Sequence, residues 1–98
     1  MLIAIDFDGT YSLDPSFWDL FIDSATYKGY TVICVTMRYK KEGAEIKRAL
    51  AGKVKEIIFT GRKAKRKFAH NHGYYPDIRI DDSPHCLYID SKSVVRSH

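Results

Sequence analysis

The length, composition and charge of the chain exclude several classes of protein. Its 98 residues, 45% of them hydrophobic, suit one domain over residues 1–98 and leave no room for a second. No apolar run approaches the roughly 18 residues of a membrane-spanning helix, and Asp6 interrupts the N-terminal apolar run too early for a signal peptide. The 16 Lys and Arg against 12 Asp and Glu give a formal charge of +4, with the basic residues concentrated in 38–67.

The first predicted element is a short strand that ends in acidic residues. The run LIAI (2–5) has the length and apolar character of a buried strand. Asp6 and Asp8 follow it directly, and Gly9 then allows the chain to turn. Because paired carboxylates contribute little to a core, this segment is a candidate functional site.

The second predicted element is an amphipathic helix over residues 15–28. Asp14 is a suitable N-cap residue, Pro15 is a suitable first helical residue, and Gly29 ends the helix. The spacing predicts one side that packs on the core. Its residues are Phe17, Leu20, Phe21 and Ser24, with Trp18, Ile22 and Ala25 beside them.

Strands and helices alternate in the rest of the chain. The strand candidates are TVICVT (31–36), EIIFT (56–60), DIRI (77–80) and, more weakly, CLYI (86–89). The helix candidates are residues 42–51 and the more basic residues 62–72. This alternation predicts an α/β domain with a three-layer, Rossmann-like fold and a mainly parallel central sheet.

The two cysteines indicate neither a disulfide nor a zinc site. Cys34 lies in an apolar run and is expected to be a small buried residue. Cys86 lies near the C-terminus, and the pair lacks the spacing of a metal site. We therefore expect a reducing, cytoplasmic location.

Polar residues follow each of the four main strand candidates. Ligands of parallel sheets bind outside the carboxyl ends of the strands, so these residues are expected to share one edge. They are Asp6, Asp8 and Gly9 after the first strand, Thr36, Met37 and Arg38 at the second, Thr60 and Gly61 at the third, and Asp81, Asp82 and Ser83 after the fourth.

These residue types suit a phosphorylated ligand and a metal ion. Carboxylates held close together repel one another unless a proton or a cation lies between them, and Mg²⁺ prefers oxygen ligands. A carboxylate can also be the nucleophile in aspartyl-phosphate chemistry. A threonine hydroxyl, backbone N–H groups near a glycine and a lysine could bind phosphate oxygens.

The ordered set DFDGT (6–10), VICVT (32–36), a lysine after the third strand and IDDS (80–83) resembles the haloacid dehalogenase superfamily of phosphohydrolases. The resemblance extends from residue 2 to about residue 90. It implies a Mg²⁺-dependent phosphatase, a phosphomonoester hydrolase that acts through an aspartyl-phosphate intermediate.

The resemblance assigns a role to each matching residue. Asp6 would be the nucleophile and a metal ligand, and Asp8 the general acid and base, whose backbone carbonyl would also bind Mg²⁺. Asp82 would bind the metal directly, whereas Asp81 would act from outside the inner ligands. The residues expected at the substrate are Thr36, Met37, Arg38 and Gly9.

The position of the catalytic lysine stays open between two residues. Counting back about two helical turns from Gly73 favours Lys65. Lys63 is the alternative.

The segments after the first two strands are too short for the cap domain that many members of this family carry. The resemblance therefore implies a capless member, whose open site is harder to shield from water. We expect a nucleotide, a nucleic-acid end or another large phosphorylated substrate, or else a lid supplied by a second copy of the chain.

A binding module is the main alternative to an enzyme. Basic residues 38–67 could hold nucleic acid or another polyanion in a salt-sensitive way without catalysis. The run GRKAKRK (61–67) is equally compatible with a solvated helix face. Asp6 and Asp8 could also be simple turn residues at a strand end.

Overall fold

The computed structural model describes residues 1–90, which contain a parallel four-stranded sheet. The strands are β1 (Leu2–Ile5), β2 (Thr31–Thr36), β3 (Ile57–Phe59) and β4 (Ile78–Ile80). Their order across the sheet is β3-β2-β1-β4, and each neighbouring pair is parallel. The four main strand predictions are confirmed, although β3 and β4 are shorter than expected.

Three helices connect the strands: α1 (Pro15–Tyr27), α2 (Ala44–Leu50) and α3 (Lys65–Asn71). Short 3₁₀ helices lie at Tyr11–Leu13, Lys40–Glu42 and Pro84–Leu87. The N-cap prediction for α1 is confirmed, because the Asp14 carboxylate accepts a hydrogen bond from the Phe17 N–H at 3.3 Å.

Helices cover both faces of the sheet. Alternate strand residues point to opposite faces, and the residues of one face, Ile3, Ile5, Val32 and Cys34, pack with Ile22 and Ala25 of α1 and Ile46 and Leu50 of α2. Those of the other face, Ala4, Ile33, Val35 and Ile58, pack with Ala69 of α3. The α/β class with a parallel sheet is therefore confirmed.

The predicted core-facing side of α1 was partly wrong. Ile22 and Ala25 are buried as expected, but Phe17 and Leu20 are 54% and 68% exposed. At about 100° per residue, Phe17 and Leu20 lie more than about 130° around the helix from Ile22. The side that packs on the sheet follows the spacing 18, 21, 22 and 25.

The start of α3 was also wrong, since residues 62–64 form a turn and the helix begins at Lys65. Gly61 and Arg62 have φ angles of 59° and 71°, which lie in the left-handed region and cannot begin a right-handed helix. The Thr60 hydroxyl donates to the Lys63 carbonyl at 2.8 Å and closes the turn.

The weak fifth strand candidate, CLYI (86–89), was wrong. Cys86 and Leu87 belong to the last 3₁₀ helix. The N–H groups of Cys86, Tyr88 and Ile89 donate to nearby carbonyls rather than to a neighbouring strand. This segment instead packs beside α3.

Both cysteines are free, and Cys34 is fully buried in β2, as the sequence predicted. Over residues 1–90, no helix is long and apolar enough to cross a membrane.

Candidate functional site

The strand order brings two of the acidic segments together. β1 lies between β2 and β4, so Asp6 at its end is adjacent to the end of β4. The Asp6 N–H donates to the Ile80 carbonyl at 2.9 Å, which extends the pairing of β1 and β4 by one step. Asp81 and Asp82 follow Ile80 directly and therefore lie beside Asp6.

The side chain of Lys65 contacts two of these acids, Asp6 and Asp81. Lys65 is the first residue of α3, and its ammonium group lies 2.7 Å from a carboxylate oxygen of Asp6 and 2.5 Å from one of Asp81. The side chains of Lys65, Asp6 and Asp81 are only 6%, 6% and 5% exposed. The three form a buried ion cluster at the carboxyl edge of the sheet.

Burial and charge act in opposite directions on these groups. Burial raises the pKa of Asp6 to about 8, because it penalises the charged carboxylate; the Lys65 ammonium opposes this rise and Asp81 adds to it. Burial would lower the pKa of Lys65, but Asp6 and Asp81 outweigh it and raise that pKa. Lys65 therefore remains positively charged between the two acids.

Lys63, the alternative lysine, lies elsewhere. Its side chain is 68% exposed, and its ammonium group is 3.8 Å from Asp90. Of the two lysines that the sequence left open, Lys65 is the one in contact with Asp6.

Three carboxylates converge on a point that suits a cation. One oxygen each of Asp6, Asp81 and Asp82 lies within 4.8 Å of the others. With all three carboxylates ionised, their charge exceeds that of Lys65 by two, which a divalent ion would neutralise, and such an ion would itself favour the ionised form of Asp6. Asp81 already accepts from Lys65 and from the Ser83 N–H at 2.9 Å, whereas Asp82 is exposed to solvent.

Asp8 lies outside this group of three carboxylates and contacts Arg38 instead. Two guanidinium nitrogens of Arg38 donate to its two carboxylate oxygens at 2.5 and 2.9 Å, a bidentate pair. The hydrogen bonds that Arg38 donates to Asp8 raise the pKa of Arg38, and the side chain of Asp8 is only 2% exposed. The predicted metal-binding role of Asp8 concerned its backbone carbonyl and stays a prediction.

Arg38 is held by more than Asp8. Its third nitrogen donates to the Glu45 carboxylate at 3.1 Å and to the Glu42 carbonyl at 3.2 Å. Its guanidinium carbon lies 5.4 Å from the centre of the Phe7 ring. The sequence placed Arg38 at the substrate and did not predict Glu45 as its partner, because no local spacing links β1, β2 and α2.

The other residues expected at the substrate occupy the same edge. Thr36 is fully buried, and its hydroxyl accepts from the Arg38 N–H at 3.3 Å. Gly9 has a φ angle of 80°, which a larger residue would adopt only with strain, and its N–H donates to the Ser12 hydroxyl. Met37 is only 1% exposed, backbone included, so it offers almost no surface to a substrate.

The loops after β2 and β3, which the sequence predicted at the same edge, are hydrogen-bonded to each other beside the site. The Arg62 N–H donates to the Met37 carbonyl at 2.8 Å, and the Gly61 N–H donates to the Arg38 carbonyl at 3.2 Å. The Arg62 guanidinium stacks 4.6 Å from the centre of the Tyr39 ring. The only sequence signal for this contact was Gly61, at the turn after β3.

We found no match to this chain among protein-family models, curated proteins or solved structures. The functional assignment therefore depends on the geometry of the site and on the motifs that the sequence carries.

Proposed function

We propose that this protein is a Mg²⁺-dependent phosphomonoester hydrolase, a capless member of the haloacid dehalogenase superfamily that its motifs resemble. The observation that carries the proposal is the buried contact of Asp6 with Lys65, beside Asp81 and Asp82. A carboxylate that is buried, oriented by a lysine and adjacent to a candidate cation site is suited to attack phosphorus.

The donor set fits the metal. Mg²⁺ takes oxygen ligands and keeps several waters, so one or two carboxylates suffice. Asp6 and Asp82, with the backbone carbonyl of Asp8, would hold it, as the resemblance implies, while Asp81 contacts Lys65 and the Ser83 N–H outside the inner ligands. The bound ion would neutralise charge on the phosphate oxygens.

The proposed reaction has two steps. A carboxylate oxygen of Asp6 forms a bond to phosphorus while the bond to the leaving oxygen breaks, and Asp8 gives that oxygen a proton. A water molecule then transfers a proton to Asp8 and attacks the aspartyl-phosphate, which releases inorganic phosphate and restores Asp6. Lys65 balances the charge of the nucleophile, and Thr36 binds a phosphate oxygen.

Arg38 has to move in this mechanism. Its bidentate contact opposes protonation of Asp8 and therefore opposes the acid role. We expect an anionic substrate to draw the guanidinium away from Asp8 and toward its own phosphate. Arg38 would then bind the substrate phosphate, and in the same step Asp8 would become free to act as the general acid.

The open carboxyl edge of the sheet indicates the size of the substrate. The segments after β1 and β2 contain only helices α1 and α2 and short 3₁₀ turns, with no inserted domain above the site. A nucleotide, a nucleic-acid end or another large phosphorylated substrate fits such a site, with or without a lid from a second copy.

The decisive experiment uses Asp6→Asn and a charge-matched control. Asp6→Asn should abolish Mg²⁺-dependent phosphate release from a generic aryl phosphate, because an amide is a poor nucleophile. Asp23→Asn, at an exposed position of α1, removes the same charge and should retain wild-type release. If the wild-type protein releases no phosphate from a panel of nucleotides, sugar phosphates and phosphorylated oligonucleotides with Mg²⁺, the enzyme proposal is wrong.

A non-catalytic polyanion-binding module is the second candidate, and the Arg38–Asp8 pair favours it. An acid that is locked to an arginine catalyses no proton transfer. This candidate predicts salt-sensitive binding of a polyanion that Asp6→Asn leaves intact, together with no phosphate release by the wild-type protein.

A further inference from the structure

An open groove runs along the outer edge of the sheet, away from the acidic cluster. β3 is an edge strand, and the groove of about 570 Å³ lies between α2 and α3 on its outer side. That volume is within the range of about 300–1,000 Å³ typical of ligand sites. The mechanism proposed above does not use this groove.

The groove is positively charged. Lys40, Lys47 and Lys55 line it, and all three are exposed. Within residues 1–90, none of the three forms a salt bridge. The acidic residue of the lining, Glu56, accepts a hydrogen bond from the Tyr74 hydroxyl at 3.2 Å. The groove is therefore complementary to a polyanion.

Two aromatic side chains, Phe59 and Phe68, are among the residues that line the groove, and both are partly buried. The Lys47 ammonium group lies 5.9 Å from the centre of the Phe59 ring. Lysines beside aromatic rings are typical of sites for single-stranded nucleic acid, where bases stack and phosphates contact lysines.

The groove also leads to the candidate active site. Lys40 follows Arg38 by two residues in the loop after β2, so the end of the groove adjoins the carboxyl edge of the sheet. β3 is two strands from β1, a separation of about 10 Å. A short polymer can therefore reach both Asp6 and the lysines, whereas a single phosphate cannot.

We infer that the groove holds the body of a single-stranded nucleic acid whose terminal phosphate lies at Asp6. This inference rests on the proposed function and names its substrate class. An acidic peptide is the other polyanion, but β3 offers only three residues for strand pairing, and acidic side chains gain less from the Phe59 and Phe68 rings than stacked bases do.

The binding test uses a fluorescently labelled, 5′-phosphorylated oligothymidylate of about 12 nucleotides, without Mg²⁺. Lys47→Glu and Lys55→Glu should each weaken binding. Each should also make the negative slope of log affinity against log salt shallower, by about 0.7 per lost phosphate contact. Lys28→Glu, in the turn after α1 and not among the residues that line the groove, reverses the same charge and should leave both quantities unchanged.

The kinetic test compares two substrates in the same variants. Lys47→Glu and Lys55→Glu should reduce the ratio of kcat/KM for the oligonucleotide to kcat/KM for an aryl phosphate, and Lys28→Glu should not. Equal binding by all three variants, or a preference for polyglutamate over the oligonucleotide, would overturn the inference. Absence of phosphate release with intact, lysine-dependent oligonucleotide binding would instead overturn the proposed function.

Discussion

At the scale of single residues, Lys65 decides the character of the site. It contacts Asp6, 59 positions earlier in the chain, and Asp81, 16 positions later. Buried carboxylates tolerate one another only when a cation or a proton lies between them. Lys65 therefore stabilises the metal-free site and orients the proposed nucleophile at the same time.

Lys65→Met should destabilise the metal-free protein by about 3–5 kcal/mol, because it leaves two buried carboxylates without their cation. Mg²⁺ should restore part of that loss by supplying another positive charge. Urea denaturation with Mg²⁺ and with a chelator measures both effects.

Lys63→Met is the matched control for this change. Lys63 is exposed and two residues away, so its replacement should alter stability by no more than about 0.5 kcal/mol. Equal losses in the two variants would contradict the assigned role of Lys65.

At the scale of elements, the loop after β2 depends on a close approach between Gly43 and β3. A Cβ atom on Gly43 would lie 2.4 Å from two carbons of the Phe59 ring, whereas its φ of −95° suits any residue. The obstacle is therefore steric and not conformational. This contact packs the start of α2 against the edge strand.

Gly43→Ala should destabilise the protein by about 1–3 kcal/mol through overpacking. Adding Phe59→Leu should relieve the clash, so the double variant should be more stable than the sum of the two single changes predicts. Gly52→Ala is the control, because a Cβ atom there meets nothing within 4 Å and its cost comes from a φ of 80°. Urea denaturation should show that the changes in unfolding free energy caused by Phe59→Leu and Gly52→Ala add. If the changes caused by Phe59→Leu and Gly43→Ala also add, the steric explanation is excluded.

At the scale of the whole molecule, one polar network joins three segments that are distant in the sequence. The hydroxyl of the buried Tyr11, in the loop after β1, donates to Asp19 of α1 at 2.6 Å. Lys53, between α2 and β3, contacts the same carboxylate at 3.1 Å. The Tyr11 hydrogen bond and, to a smaller extent, Lys53 lower the pKa of Asp19 below its usual 3.8. Tyr11 also stacks on Phe7, so the network supports the first loop of the site.

Tyr11→Phe should reduce the free energy of unfolding by about 1–2 kcal/mol at neutral pH, since it removes one hydrogen bond to a charged group and keeps the ring. A lowered carboxyl pKa stabilises the fold above the unfolded value and loses that effect as pH falls through the folded value. The difference between wild type and Tyr11→Phe should therefore shrink below about pH 3.8.

Tyr27→Phe is the control for this measurement. Tyr27 is 93% exposed, so its variant should match the wild type at every pH. A Tyr11→Phe difference that stays constant into acid would exclude the charged Asp19 as the partner.

Much of the architecture was predictable because it depends on local patterns. Apolar runs of strand length separated by helical spacing imply a parallel sheet, and parallel strands place Asp6, Thr36 and Asp81 at one edge. The N-cap at Asp14 and the burial of Cys34 follow from neighbouring residues in the same way. The exposed side of α1 was not predictable from spacing alone, because both of its faces carry large apolar residues.

Local patterns in the chain specify the strands, their alternation with helices and the order of the polar motifs, since each depends on residues close together in the sequence. The folded arrangement was needed to show that Lys65 and not Lys63 reaches Asp6, that Arg38 pairs with Asp8, and that a basic groove flanks β3. Those contacts join residues many positions apart, and their partners depend on which strands are neighbours and on where each helix begins.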